Sequence, residues 1–111
     1  MKTRYIVAIL LSFGFLSFAN ANSDKNVDCL ILEDENSIIC KYTHERINTD
    51  KIISVQWIEP DSKITRERDM VIPAHHGSIY DYRYIEGRTK GTWTFKVIDN
   101  GDEYQTNFEI K

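Results

Sequence analysis

From residue 26 onward, apolar and polar residues alternate with a period of two, and turn-forming residues interrupt the alternation at short intervals. This is the pattern of half-buried β-strands. In "VDCLILEDENSIICKY" two apolar runs flank the polar loop "EDEN". Folding them back on each other sets Cys29 opposite Cys40, Ile31 opposite Ile38 and Val27 opposite Tyr42 on one apolar face, with Asp28 across from Lys41 on the other. Leu30 and Ile39 then pair on the polar side. "KIISVQWIEP" places Ile53, Val55 and Trp57 on one face and Ser54 and Gln56 on the other, and Pro60-Asp61-Ser62 turns the chain. In "GTWTFKVIDNGDEYQTNFEIK", Asn100-Gly101 supplies the two central residues of a type I′ turn. That turn pairs Val97 with Tyr104, Phe95 with Thr106 and Trp93 with Phe108. It leaves Lys96 with Gln105 and Thr94 with Asn107 facing water.

Two runs are less clean. In "KITRERDMVIP", Ile64, Met70 and Ile72 share a parity with Arg66 and Arg68. Either a bulge shifts the register midway or the run is an edge strand whose charges discourage further pairing, and the edge strand is the expectation. In "SIYDYRYIEG", Tyr80, Tyr82 and Tyr84 share one face and Asp81 and Arg83 the other. Hydrophobicity places the tyrosines inward, filling the interior opposite Trp57 and Trp93, with Asp81 and Arg83 outward. The alternative is an exposed aromatic ladder that stacks on sugars or anchors a protein partner, since tyrosine offers contact area with a polar tip at low entropy cost.

Strands joined by short turns, with no helix-period segment after the N-terminal stretch, define an all-β chain. A small immunoglobulin-like antiparallel β-sandwich of about six or seven strands accounts for it.

The start of the chain has a different character. "MKTRYIVAILLSFGFLSFANA" combines Lys2 and Arg4, an apolar run and the small-x-small pattern Ala19-Asn20-Ala21, the make-up of a cleaved export signal over residues 1–21. The apolar run is shorter than the roughly 20 residues that cross a bilayer, so no membrane insertion is expected after cleavage. Residues 22–111 then form one small domain, marginal in stability for its size, that a covalent staple would strengthen. Cys29 and Cys40, the two cysteines of an exported chain, supply it as a disulfide. The expected location is the periplasm or beyond. Without Lys2 and Arg4, 12 basic residues face 17 acidic ones, a formal charge of −5, and no basic run argues for nucleic acid as a partner.

The strand "VQWIEPDSK" followed by the terminal "GTWTFKVIDNGDEYQTNFEI" resembles bacterial secreted immunoglobulin-like or fibronectin-III-like domains, whose last hairpin often runs Gly-x-Trp-x-Val, a glycine turn, then Phe-x-Val or Phe-x-Ile. The likeness spans Ile52 to Lys111 and implies architecture, not chemistry. The cysteines depart from the antibody pattern, because they lie close together near the start instead of bridging two sheets across Trp57.

Catalytic signals are weak. No Gly-x-Ser-x-Gly elbow is present, both cysteines are assigned to the disulfide, and His75 or His76 with Ser78 lies too close in sequence for a triad. His44, His75 and His76 would bind copper, zinc or nickel if their loops shared an end of the sandwich, although adjacent histidines diverge on an extended chain. Arg88 and Lys90 in the loop between Gly87 and Gly91 form a small basic tip suited to an acidic partner.

The expectation is therefore an exported, non-catalytic module without a cofactor, acting through protein or glycan contacts, with metal handling as the alternative. Tyr80, Tyr82, Tyr84, Arg88, Lys90, Leu30 and Ile39 are its candidate surface. Outward Leu30 and Ile39 imply that a partner chain, including a second copy of this one, or the chain's own loop covers the first hairpin. An enzyme inhibitor that inserts the loop Thr89 to Thr92 or His75 to Ser78 is a variant of the same reading.

Overall fold

The computed structural model describes residues 25–111; the export signal expected over residues 1–21 lies outside the described residues. Among the described residues seven strands form: β1 (Asn26–Leu32), β2 (Ser37–Thr43), β3 (Lys51–Ile58), β4 (Ile64–Ile72), β5 (Ser78–Tyr84), β6 (Gly91–Asp99) and β7 (Asp102–Ile110). A single 3₁₀ turn, Glu33–Glu35, joins β1 to β2. The strands make two antiparallel sheets, one ordered β1-β2-β5 and the other β4-β3-β6-β7.

Both hairpins adopt the register that alternation demands. Val27, Asp28, Cys29 and Ile31 lie opposite Tyr42, Lys41, Cys40 and Ile38. The turn closes through Asn36 in the left-handed region, where its amide donates to the Glu33 carbonyl. The last hairpin pairs Trp93 with Phe108, Phe95 with Thr106 and Val97 with Tyr104. Asn100 and Gly101 both take positive φ, 54° and 87°, which matches the twist of the flanking strands.

The apolar faces meet between the sheets. Ile38, Cys40 and Tyr42 of β2 pack with Ile53, Val55 and Trp57 of β3, Ile72 of β4, Trp93, Phe95 and Val97 of β6, and Phe108 and Ile110 of β7. Trp57 presents edges to Phe95 and Phe108, at 5.2 Å and 5.8 Å between ring centres, and Trp93 stacks on Phe108 at 6.1 Å. Each of these aromatic side chains contributes about 1.5–3 kcal/mol by burial, and the tilted pairs add somewhat more. Cys29 and Cys40 are joined as a disulfide with their Cα atoms 4.1 Å apart, a cross-link between directly opposed residues.

The β4 ambiguity resolves with both devices present. β4 is an edge strand, and its pairing with β3 shifts register between Trp57 and Ile58. Ile64 therefore sits opposite Ile58 and is exposed, while Arg66 and Arg68 lie opposite Trp57 and Val55, on the side that faces the other sheet.

The inward placement of the tyrosines is corrected. Tyr80, Tyr82 and Tyr84 are exposed, and Asp81 and Arg83 are the buried residues of β5, 4% and 8% accessible. The physical reason is the company β5 keeps. It is the other edge, across from β4, so the space beneath it is lined by the Trp57 indole N–H and by Arg66 and Arg68 of β4, not by hydrocarbon. Asp81 accepts from Trp57 Nε1 at 2.8 Å and lies 3.3 Å from Arg66 and 3.5 Å from Arg68. The Arg83 guanidinium lies over the Trp57 ring at 5.5 Å and donates to Thr65 Oγ1 at 3.1 Å. A buried charge is tolerated where it is paired and hydrogen-bonded, and inward charges on edge strands also oppose edge-to-edge aggregation.

Candidate functional site

With Asp81 and Arg83 turned inward, the remaining side chains of β5 must project from the outer face of the three-stranded sheet. The registers across β1, β2 and β5 align them in rows: Asp28, Lys41 and Tyr80; Leu30, Ile39 and Tyr82; Leu32, Ser37 and Tyr84. The three tyrosines are 57%, 58% and 57% accessible and Leu30 is 59%, values that mark a continuous aromatic and aliphatic surface on a domain this small. Ile39 is half-buried beneath its neighbours. Tyr82 and Tyr84 meet edge to face at 6.2 Å, and the Lys41 ammonium stands 6.0 Å from the Tyr80 ring. Ser37, Ile39, Tyr80 and Tyr82 line a shallow apolar depression of about 440 Å³. Tyrosine combines a large apolar ring with a polar tip, the make-up of a contact residue.

The basic tip expected at Arg88 and Lys90 divides in two. Lys90 is exposed, whereas Arg88 is half-buried and folds back along β5, its Nε donating to the Tyr84 carbonyl at 3.0 Å.

The histidine loops do come to one end of the sandwich. The His44 amide donates to the Gly77 carbonyl at 2.9 Å, the His75 amide to Ile47, and Arg46 Nη1 to the His75 carbonyl. The side chains part nonetheless. His44 is buried with its ring parallel to Tyr42 at 5.8 Å, while His75 and His76 face solvent. Among the described residues no cluster of three or more histidine, cysteine or carboxylate side chains has a metal-holding arrangement. A surface depression of about 730 Å³, bordered by Glu33, Asp34, Glu35, Glu109 and Lys111, is an open acidic rim beside the first turn.

One polar group at the histidine end escaped sequence reasoning. Tyr42 donates to Asp99 Oδ2 at 2.7 Å, and Lys51 Nζ lies 3.1 Å from each oxygen of the same carboxylate, well aligned only with Oδ2. Burial pushes the Asp99 carboxyl up, but the hydrogen bonds from Tyr42 and Lys51 outweigh it and hold it below the usual carboxylate range. Burial, with the hydrogen bond to Asp99 second and the Asp99 charge third, raises the Tyr42 phenol far above its ordinary value. Burial also lowers the His44 imidazole, helped by Lys51. This cluster ties β2 to β3 and β6 and has the character of a structural lock. A signal for it existed in the odd parity of Asp99, which follows Trp93, Phe95 and Val97 on the inward side of β6.

Comparison with known proteins returns no family model and no curated protein that matches the chain. Among the described residues no helix is long and apolar enough to cross a membrane, and the Cys29–Cys40 disulfide points to an oxidising, exported environment.

Proposed function

We propose that the chain is an exported, non-catalytic recognition module of immunoglobulin-like or fibronectin-III-like type, which binds a protein partner through the outer face of β1, β2 and β5. Supporting the fold assignment is the strand order, with the first, second and fifth strands in one sheet and the third, sixth and seventh in the other, as in a seven-strand immunoglobulin sandwich; the fourth strand departs from the constant-type order by lying at the edge of the second sheet. The observation that carries the binding reading is the inversion on β5: three tyrosines stand in water beside Leu30 while an aspartate and an arginine are buried. The inward pair is accounted for by Trp57, Arg66 and Arg68, and the outward tyrosines beside Leu30 are left with large apolar area available to a partner. Tyrosine is also the residue most suited to that task, with large rigid area and few rotatable bonds.

Metal handling by His44, His75 and His76 lacks comparable support, because the His44 ring is enclosed against Tyr42 and the other two face away into solvent.

The test is paired affinity capture from an exported fraction, using the mature protein and a Tyr80→Ser/Tyr82→Ser variant of equal thermal stability. Proteins retained by the first and lost by the second identify the partner. Equal retention by both removes the face from the proposal. Light scattering of the mature protein alone decides whether a second copy is the occupant.

A further inference from the structure

A second surface lies where the two edge strands face each other. Arg66 and Arg68 of β4, Arg83 of β5 and Arg88 of the following loop line a groove of about 250 Å³, walled on one side by Tyr82 and Tyr84. Among the described residues, Asp81 is the only carboxylate lining it. Four guanidiniums against one carboxylate leave a concentrated positive charge on a chain that is acidic as a whole.

The arginines are held in place by contacts that leave donors free. Arg66 Nη1 reaches both Asp81 and the Tyr82 carbonyl, Arg68 Nη1 reaches Asp81, Arg83 Nη1 is tied to Thr65, and Arg88 Nε is tied to the Tyr84 carbonyl. Each guanidinium carries five N–H donors, so most have no protein acceptor among the described residues. Arg83 is the telling member. It is more than nine-tenths buried, and its Nε has no hydrogen-bond partner. A buried donor without an acceptor is expensive, and a charged one more so. Burial, reinforced by the nearby charges of Arg88 and Arg66, lowers its affinity for its proton, while Asp81 and Glu59 act in the opposite sense.

We propose that this groove is an oxyanion-binding site, which takes a phosphate, sulfate or carboxylate group between Arg66, Arg68, Arg83 and Arg88. An oxyanion accepts from the guanidinium N–H groups of Arg66, Arg68 and Arg88 that open into the groove, in the planar fork geometry that arginine matches better than lysine does, and its charge offsets that of the buried Arg83 beside it. Tyr82 and Tyr84 also line the groove, and their backbone carbonyls hold Arg66 and Arg88 in place. The site does not depend on the protein-binding reading of the tyrosine face.

Titration of the ¹⁵N-labelled mature protein with inorganic phosphate, sulfate and phenyl phosphate at low ionic strength tests it. The expected result is saturable binding, with shifts concentrated at Arg66, Arg68, Tyr82 to Tyr84 and Arg88. Arg83→Gln removes the buried donor but also the contact with Trp57, so Arg88→Gln, in the loop, is the companion variant. Each should weaken phosphate binding about tenfold or more. Phenyl phosphate binding more tightly than inorganic phosphate identifies a larger anionic ligand, and equal affinity identifies a free oxyanion. Shifts that rise linearly without saturation, or binding unaltered in a folded Arg88→Gln protein, would overturn the site.

Discussion

The Trp57 indole donates its N–H to the Asp81 carboxylate at 2.8 Å, and this one bond joins the second strand of one sheet to the edge of the other. Everything unusual about β5 follows from it. With Asp81 committed to the interior, Arg83 follows by alternation and the tyrosines are turned outward.

Replacing Asp81 with alanine should therefore destabilise the domain by about 2–4 kcal/mol, because it orphans the Trp57 N–H and leaves Arg66 and Arg68 without their shared carboxylate. The arginines are 35% and 50% exposed, so water recovers part of their solvation and the loss stays below that of a fully buried pair. Asp81→Asn keeps an acceptor for the indole and should lose less, about 1–2 kcal/mol. Urea denaturation followed by tryptophan fluorescence measures both. Equal losses in the two variants would show that the charge, and not the indole bond, carries the effect.

The disulfide closes a short loop, Cys29 to Cys40 at a separation of 11, on an edge hairpin whose partner strand is central to its sheet. On the chain-entropy argument its removal should lower stability by about 3 kcal/mol. A Cys29→Ala/Cys40→Ala protein compared with the oxidised form by urea midpoint checks this. Cys40 is fully buried and Cys29 only partly so, so alanine at 40 adds a small packing loss of its own.

Stability should also fall on mild acidification. Both His44 ring nitrogens are buried without hydrogen bonds, and burial holds the imidazole's proton affinity below its ordinary value of 6.5. The unfolded chain takes up a proton as pH falls through about 6.5, whereas the folded chain does so only at lower pH. Stability present at neutral pH is thus lost progressively between that value and the lower folded one. Asp99 acts later and in the same direction: its folded affinity for a proton is depressed, so its contribution is present above about pH 4 and disappears below. His44→Phe keeps the ring stacked on Tyr42 and should flatten the upper part of the profile, with little change or a gain at neutral pH. Thermal melts across the range from pH 7.5 to about 4.5 read the slope. An unchanged slope in the variant would place the acid sensitivity elsewhere.

The parts of the fold legible in the sequence are those decided by neighbours in the chain. The Cys29–Cys40 and Trp93–Phe108 registers rest on a short turn and on which side chains tolerate water, both local properties. The direction in which β5 faces is not local. Alternation separates Tyr80, Tyr82 and Tyr84 from Asp81 and Arg83, but which set turns inward depends on what the opposite sheet presents, and that is Trp57 with Arg66 and Arg68. The mixed parity of β4 held a clue. If Arg66 and Arg68 share a face with Met70 and Ile72, an inward acid is needed nearby, and Asp81 is the residue that supplies it. The Tyr42–Asp99–Lys51 lock is equally non-local, assembled from residues 48 and 57 positions apart, and only the inward parity of Asp99 announced it.

Substitutions on the tyrosine face should separate binding from folding. Tyr80 and Tyr82 are more than half exposed and their removal opens no cavity, so Tyr80→Ser and Tyr82→Ser should each shift stability by about 0.5 kcal/mol or less. The Tyr82–Tyr84 edge contact and the Lys41–Tyr80 approach are surface interactions, small enough to fall within that range. The same side chains are placed to dominate a partner contact, where truncating a buried tyrosine commonly costs 2 kcal/mol or more, roughly thirtyfold in affinity. Leu30→Ser, on the row shared with Ile39 and Tyr82, should behave likewise. Urea denaturation alongside partner binding by calorimetry measures the two quantities on one preparation. If the tyrosine variants lose several kcal/mol of stability with binding intact, the rings serve the fold of β5 and the recognition surface lies elsewhere.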